Sequence, residues 1–163
     1  MCYPGAVLVL TPLDPAPDLH TFAAAHLVYA AGILRVPAPP LVATPTVRNA
    51  TARAGRILYN PEWLARALAE HCTTSRCRSS LTLGLLAHEL SHHVRGDEHH
   101  PQEDRRTQEL AADRVAGACL RAAGLDPADF GRLLATLSRR SQRWHPPLPD
   151  RLRALHDGYD QRP

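Results

Sequence analysis

The stretch from Leu83 to His93, Leu-Gly-Leu-Leu-Ala-His-Glu-Leu-Ser-His-His, constrains this 163-residue chain more than any other. Leu83, Leu86, Ala87 and Leu90 recur at three- and four-residue spacing, which predicts a helix with one apolar stripe. At about 100° per residue, His88 and His92 stand roughly 40° apart on one face, one turn removed. Two imidazoles so placed can share one metal ion. Glu89 falls beside that face, where its carboxylate can reach a water on the metal without being a ligand itself. This is the H-E-x-x-H pattern of zinc hydrolases. Imidazoles in so apolar a helix are costly to bury without a partner such as a metal, which favours zinc over a polar surface cluster.

The length suits one domain, residues 1–163, able to bury about two-thirds of its unfolded surface. An apolar fraction of 44% with 21% charged residues is ordinary for a soluble globular protein. All 19 basic residues are Arg, scattered from Arg35 to Arg162, and the net charge is only +3. A nucleic-acid footprint would cluster them or interleave aromatics, so nucleic-acid binding is not expected. No run approaches the roughly 18 apolar residues of a membrane span. The first ten residues lack the basic leader and long apolar run of a signal peptide, so a cytoplasmic protein is expected. In that reducing setting Cys2, Cys72, Cys77 and Cys119 are expected to be free. Cys72 and Cys77 bracket a short polar loop and could close as a disulfide in an exported protein.

Residues 1–17 are Pro-rich and read as an irregular arm. Asp18 can cap a first helix to about Ala31, stopped by Gly32. His20 and His26, on or near it, read as surface or satisfied core histidines. After Pro37-Ala-Pro-Pro40, the segments Leu41–Ala43, Thr46–Arg48 and Arg56–Tyr59 look like short strands of a small antiparallel sheet or hairpin. Asn60-Pro61 opens a helix. Cys72 to Arg78 read as a loop, with Ser79 or Ser80 capping the motif helix and Gly96 ending it. Further helices are expected from Thr107 to Ala123, after Asp126-Pro127, and after the rigid turn His145-Pro-Pro-Leu-Pro-Asp150. The fold class is thus α+β, mainly helical, with residues 1–40 as arm and first helix and residues 41–158 as core.

A catalytic zinc needs three protein ligands and an open position. Gly96 and His99 bring to mind H-E-x-x-H-x-x-G-x-x-H, but the register is off by one: Arg95 and Glu98 stand where Gly and His belong. Taking His93 as second ligand fails too, because five residues turn about 140° from His88. Glu109, in Glu109-Leu-Ala-Ala-Asp113, is the better third ligand. Asp113 lies one turn on, facing the same way, where it can accept the remaining ring N–H of His88 or His92.

His88-Glu-Leu-Ser-His92 followed by Glu109-Leu-Ala-Ala-Asp113 resembles the gluzincin metallopeptidases of the CAAX-prenyl-protease and heat-shock membrane-protease family, which share H-E-x-x-H and a later E-x-x-A-D. Asn49-Ala50 is similar to that family's Asn-Ala segment beside the cleft, and His145-Pro with Arg151 to its His-Pro…Arg segment. The likeness runs from about Asn49 to Leu155. It implies a zincin-like zinc endopeptidase core in which His88, His92 and Glu109 hold one Zn²⁺ and Glu89 is the general base. His145 and Arg151 would flank the oxyanion or the substrate backbone, and Asn49 and Ala50 would bind protein or peptide substrate. Membrane-type members carry spanning helices around the motif, and this chain has none. Ser91 stands where soluble members often have Gly. A non-catalytic, zinc-stabilised binding or regulatory module on the same fold is the alternative; the intact Glu89 argues against it.

Overall fold

A computed structural model describes residues 18–99, 105–138 and 145–161, apart from the side chain of Glu98. The expected N-terminal arm and the polar stretch 100–104 lie outside the described residues. Helix α1 spans Leu19–Leu34 and strands β1, β2 and β3 span Leu41–Ala43, Ala50–Arg53 and Arg56–Tyr59. Helices α2 (Pro61–His71), α3 (Ser75–Arg95), α4 (Arg105–Ala122), α5 (Pro127–Ser138) and α6 (Leu148–Asp160) follow, with a 3₁₀ turn at Asp97–His99. The molecule is mainly helical with one small sheet. No helix among the described residues is long and apolar enough to cross a membrane.

Helix α3 is the centre of the core. Every residue from Ser79 to Ser91 is buried, so the helix is enclosed on all sides and not only along its leucine stripe. It packs on α1, α4, α5 and the sheet. Its start corrects the expected boundary. Thr74 caps it, accepting from the Cys77 N–H at 3.1 Å, while Ser79 and Ser80 lie inside the helix. Ser80 instead donates to the Asp126 carbonyl at 2.5 Å, tying α3 to the entry of α5. Cys72 and Cys77 are joined as a disulfide across the α2–α3 junction. That pairing overturns the expectation of free thiols at these positions, and disulfides of this kind persist in oxidising compartments. Cys119 is free and buried, and burial pushes its thiol up to about 12, which makes it unreactive.

Helix α1 also departs from the reading of its sequence. Gly32 stays helical, and the end comes at Arg35, with φ 56°. The Val36 N–H closes on the Ala31 carbonyl at 3.0 Å while its side chain packs on the core, the pattern of a Schellman ending.

The sheet is mixed, order β1-β3-β2, and not antiparallel throughout. β1 runs parallel to β3, and β2 pairs antiparallel with it. Thr46–Arg48 form no strand. Pro45 lacks a donor, and the Thr46 N–H and hydroxyl both bond Thr44 Oγ1, so local turns replace a ladder there. The hairpin β2–β3 turns through Ala54 and Gly55, both at positive φ (51° and 74°), the signature of a tight two-residue connection. Asn60 caps α2 as expected, accepting from the Trp63 N–H at 3.1 Å.

Helices α4 and α6 approach most closely, because two glycines face the contact. A Cβ on Gly117 would overlap the Leu155 carbonyl, and one on Gly158 the Arg114 carbonyl. Gly84 likewise makes room on α3 for the Phe130 ring of α5. Gly158→Ala should therefore cost upwards of about 2 kcal/mol in urea unfolding, since backbone, unlike a side-chain end, cannot give way. His26 supplies a pH test. It is buried against Phe22, its Nδ1 lies 2.8 Å from the Phe22 carbonyl and its Nε2 has no partner among the described residues. Burial holds its pKa below 6.5 despite that carbonyl. The unfolded chain then binds the proton more readily, so stability should fall as pH drops below about 6.5. His26→Leu should remove this component of the pH dependence, read as the difference in unfolding free energy from wild type between pH 7 and pH 5.

Candidate functional site

The site lies where α3 and α4 cross, beneath the sheet. α3 presents His88, Glu89 and His92, and α4 presents Glu109 and Asp113 one turn apart. The two imidazole Nε2 atoms are 3.1 Å apart. Glu109 completes the group, with carboxylate oxygens 3.5 Å from His88 Nε2 and 3.7 Å from His92 Nε2. Donors about 2.0–2.1 Å from a tetrahedral ion stand roughly 3.3 Å from one another. The three therefore sit within a few tenths of an ångström of that spacing, and His88, His92 and Glu109 could hold a metal ion.

Protonation makes the same demand. His88 turns its Nδ1 to Asp113 Oδ1 at 3.0 Å, and His92 turns its Nδ1 to Asp97 Oδ2 at 2.9 Å. A neutral His92 ring bonded to Asp97 through its Nδ1–H directs a bare Nε2 lone pair at His88. At that separation the two Nε2 atoms need a proton or a metal ion between them. Burial opposes the charged form of His88, yet Asp113 and Glu109 override it and raise its pKa to about 10. Glu109 is held well below the usual carboxylate range: burial opposes this, but His145, His88 and Arg151 prevail.

Asp97 was not among the expected residues. Gly96, at φ 65°, ends α3 and turns the chain back so that Asp97 meets the ring of His92. The signal was present as a Gly-Asp step just after the helix, but only the left-handed turn brings Asp97 onto His92. Arg95 Nε supports the same carboxylate at 3.3 Å. Of the two candidate histidine ligands, Asp113 is set against His88.

Arg151 reaches the site from α6. It is 3% exposed, and its Nε and Nη2 grip Asp113 at 2.8 and 2.9 Å while Nη2 lies 3.2 Å from Glu109. It braces the carboxylates of α4 from α6 and also borders the cavity over the site. His145, just before α6, has Nδ1 3.1 Å from Glu109 Oε2 and is about one-third exposed. His99 is exposed on the 3₁₀ turn, outside the converging group. Ser91 is buried with its hydroxyl unpartnered, so the residue fits the packing without joining the site.

Glu89 faces the sheet, its Oε2 accepting from the Ala52 N–H at 2.9 Å. A cavity of about 650 Å³ opens over it, bordered by Asn49, Ala50, Glu89, His145 and the apolar side chains Leu85 and Phe130. The Phe130 ring lies 6.5 Å from that of His88, so one wall beside the candidate ligands is apolar.

Metal uptake should release about one proton per chain at pH 7, because His88 must shed its proton to become a ligand. Titration calorimetry in buffers of different ionisation enthalpy measures this directly. Asp113→Asn should weaken divalent-metal affinity about ten- to a hundredfold. Arg151→Met should cost about 3–5 kcal/mol of stability by stripping the buried carboxylate of Asp113 of its guanidinium partner. Comparison with protein-family models, with curated proteins and with solved structures found no match.

Proposed function

We propose that this chain is a zinc-dependent endopeptidase acting on protein or peptide substrates, with His88, His92 and Glu109 as ligands and Glu89 as general base. The observation that carries the reading is the convergence of His88 Nε2, His92 Nε2 and a Glu109 carboxylate oxygen at metal-ligand spacing, with the carboxylate of Glu89 next to them at an open cavity. Two imidazoles and one carboxylate suit Zn²⁺ among the common divalent ions. The likeness of the two motifs to gluzincin metallopeptidases supports the same assignment.

When bound, zinc lowers the pKa of a coordinated water to about 7 and polarises a carbonyl. Glu89 takes the proton as water attacks the scissile carbonyl carbon, then delivers it to the departing amine nitrogen. Asp113 and Asp97 keep the imidazoles in the tautomer that leaves Nε2 free for the metal. Arg151 holds Asp113 and Glu109 in place and contributes by positioning. His145, on the rim, is the donor we assign to the developing oxyanion. Substrate enters along β2, the open edge of the sheet, beside Asn49 and Ala50, where an extended peptide can add as a further strand.

A purely structural zinc module has no use for a carboxylate placed as Glu89 is. Zinc-loaded protein should cleave casein or members of a peptide library, and a chelator should abolish cleavage. Glu89→Gln should keep its zinc and lose a hundredfold or more in kcat/KM. One zinc per chain with no cleavage of any peptide would leave the binding module standing instead.

A further inference from the structure

The hairpin determines which main-chain groups of β2 face outward. A two-residue turn makes Arg53 and Arg56 a hydrogen-bonded pair, and the Asn60 N–H donates to the Asn49 carbonyl at 2.7 Å. The bonded positions of β2 are therefore 49, 51 and 53. Ala50 and Ala52, on the alternate positions, direct their N–H and C=O groups away from β3. No strand lies beyond β2 among the described residues, so these groups form an open edge above α3. The edge is not bare. Its Ala52 N–H is taken by Glu89 Oε2, although 37 residues separate the two in sequence. Glu89 is only 8% exposed, so water has little access to hold that oxygen in place of the amide.

We infer that the main-chain amide of Ala52 is a positioning group for Glu89, and that it withholds its rung of the sheet edge from substrate, leaving Ala50 as the rung on which an incoming peptide pairs. This rests on the reading of Glu89 as general base. A glutamate side chain has three rotatable bonds, and one charge-assisted hydrogen bond to a rigid donor removes most of that freedom. A main-chain donor is the more rigid choice, since the ladder to β3 fixes it. With Oε2 held, Oε1 is left to accept the proton of the attacking water and return it to the leaving amine. A peptide paired at Ala50 then lies one rung from the base, which places its scissile bond beside Glu89 and does not cover it.

Ala52→Pro tests the assignment. It deletes this N–H and no ladder bond, proline is accepted at outward-facing positions of edge strands, and Thr51 before it is already extended. The first readout needs no turnover: hydrogen exchange of the Ala52 amide in ¹⁵N-labelled protein. Exchange should be at least tenfold faster in Glu89→Ala than in wild type at equal zinc content; equal rates overturn the inference. In zinc-loaded protein, Ala52→Pro should lower kcat about ten- to a hundredfold with KM nearly unchanged, the loss expected for a hydrogen bond to a charged group. Ala52→Val, which keeps the N–H, should restore most of that loss. If Ala52→Pro matches wild-type kcat while Glu89→Gln is inactive, the positioning role falls and the peptidase reading stands. If wild type cleaves nothing, the peptidase reading falls, and the exchange rates alone decide whether Ala52 holds Glu89. They decide it likewise if Ala52→Pro fails to fold.

Discussion

One buried carboxylate ties this structure together. Asp113, fully shielded on α4, meets His88 of α3 on one side and Arg151 of α6 on the other. Taking an aspartate and an arginine out of water costs several kcal/mol each, and the cost is offset only when geometry is good and the hydrogen bonds are complete. Burial works against the charged form of Asp113, yet His88 and Arg151 keep it ionised. The same guanidinium reaches Glu109. Three helices are thereby joined around a single patch of charge beside the candidate ligands.

That arrangement depends on how near α6 can come to α4. The closest approach runs past Gly117 and Gly158, where main chain meets main chain with no room for a methyl group. Wider separation would leave Arg151 short of both carboxylates. The glycines therefore act on the site at a distance through helix spacing. Gly84 does the same for α5, letting the Phe130 ring settle against α3 and line the cavity beside His88.

The opposite wall is made by the sheet. Small as it is, it leaves β2 unpaired on one side and points two of its alanines at α3. One outward amide, that of Ala52, meets Glu89, and the other belongs to Ala50, which borders the cavity. The same edge thus brings together a group to orient the base and a strip on which an extended chain can lie, which is how a three-stranded sheet becomes part of a site otherwise built from helices.

Local sequence determined much of this. Helical periodicity placed His88 and His92 on one face, and the same spacing put Glu109 and Asp113 together on another helix; the caps at Asp18 and Asn60 could be read from neighbouring residues because those bonds span only two or three positions. Tertiary structure decided the rest. Nothing local could say that β1 joins β3 in parallel, since that pairing depends on where the chain returns after the turns at Thr44–Thr46. Nor could spacing reveal that Asp97 backs His92, that Arg151 faces inward to Asp113, or that Ala52 meets Glu89. The reason is common to all of them: periodicity reports which way a side chain leaves its own element, while a partner is settled by how closely separate elements pack, and here glycines and left-handed turns far from the motif set that distance.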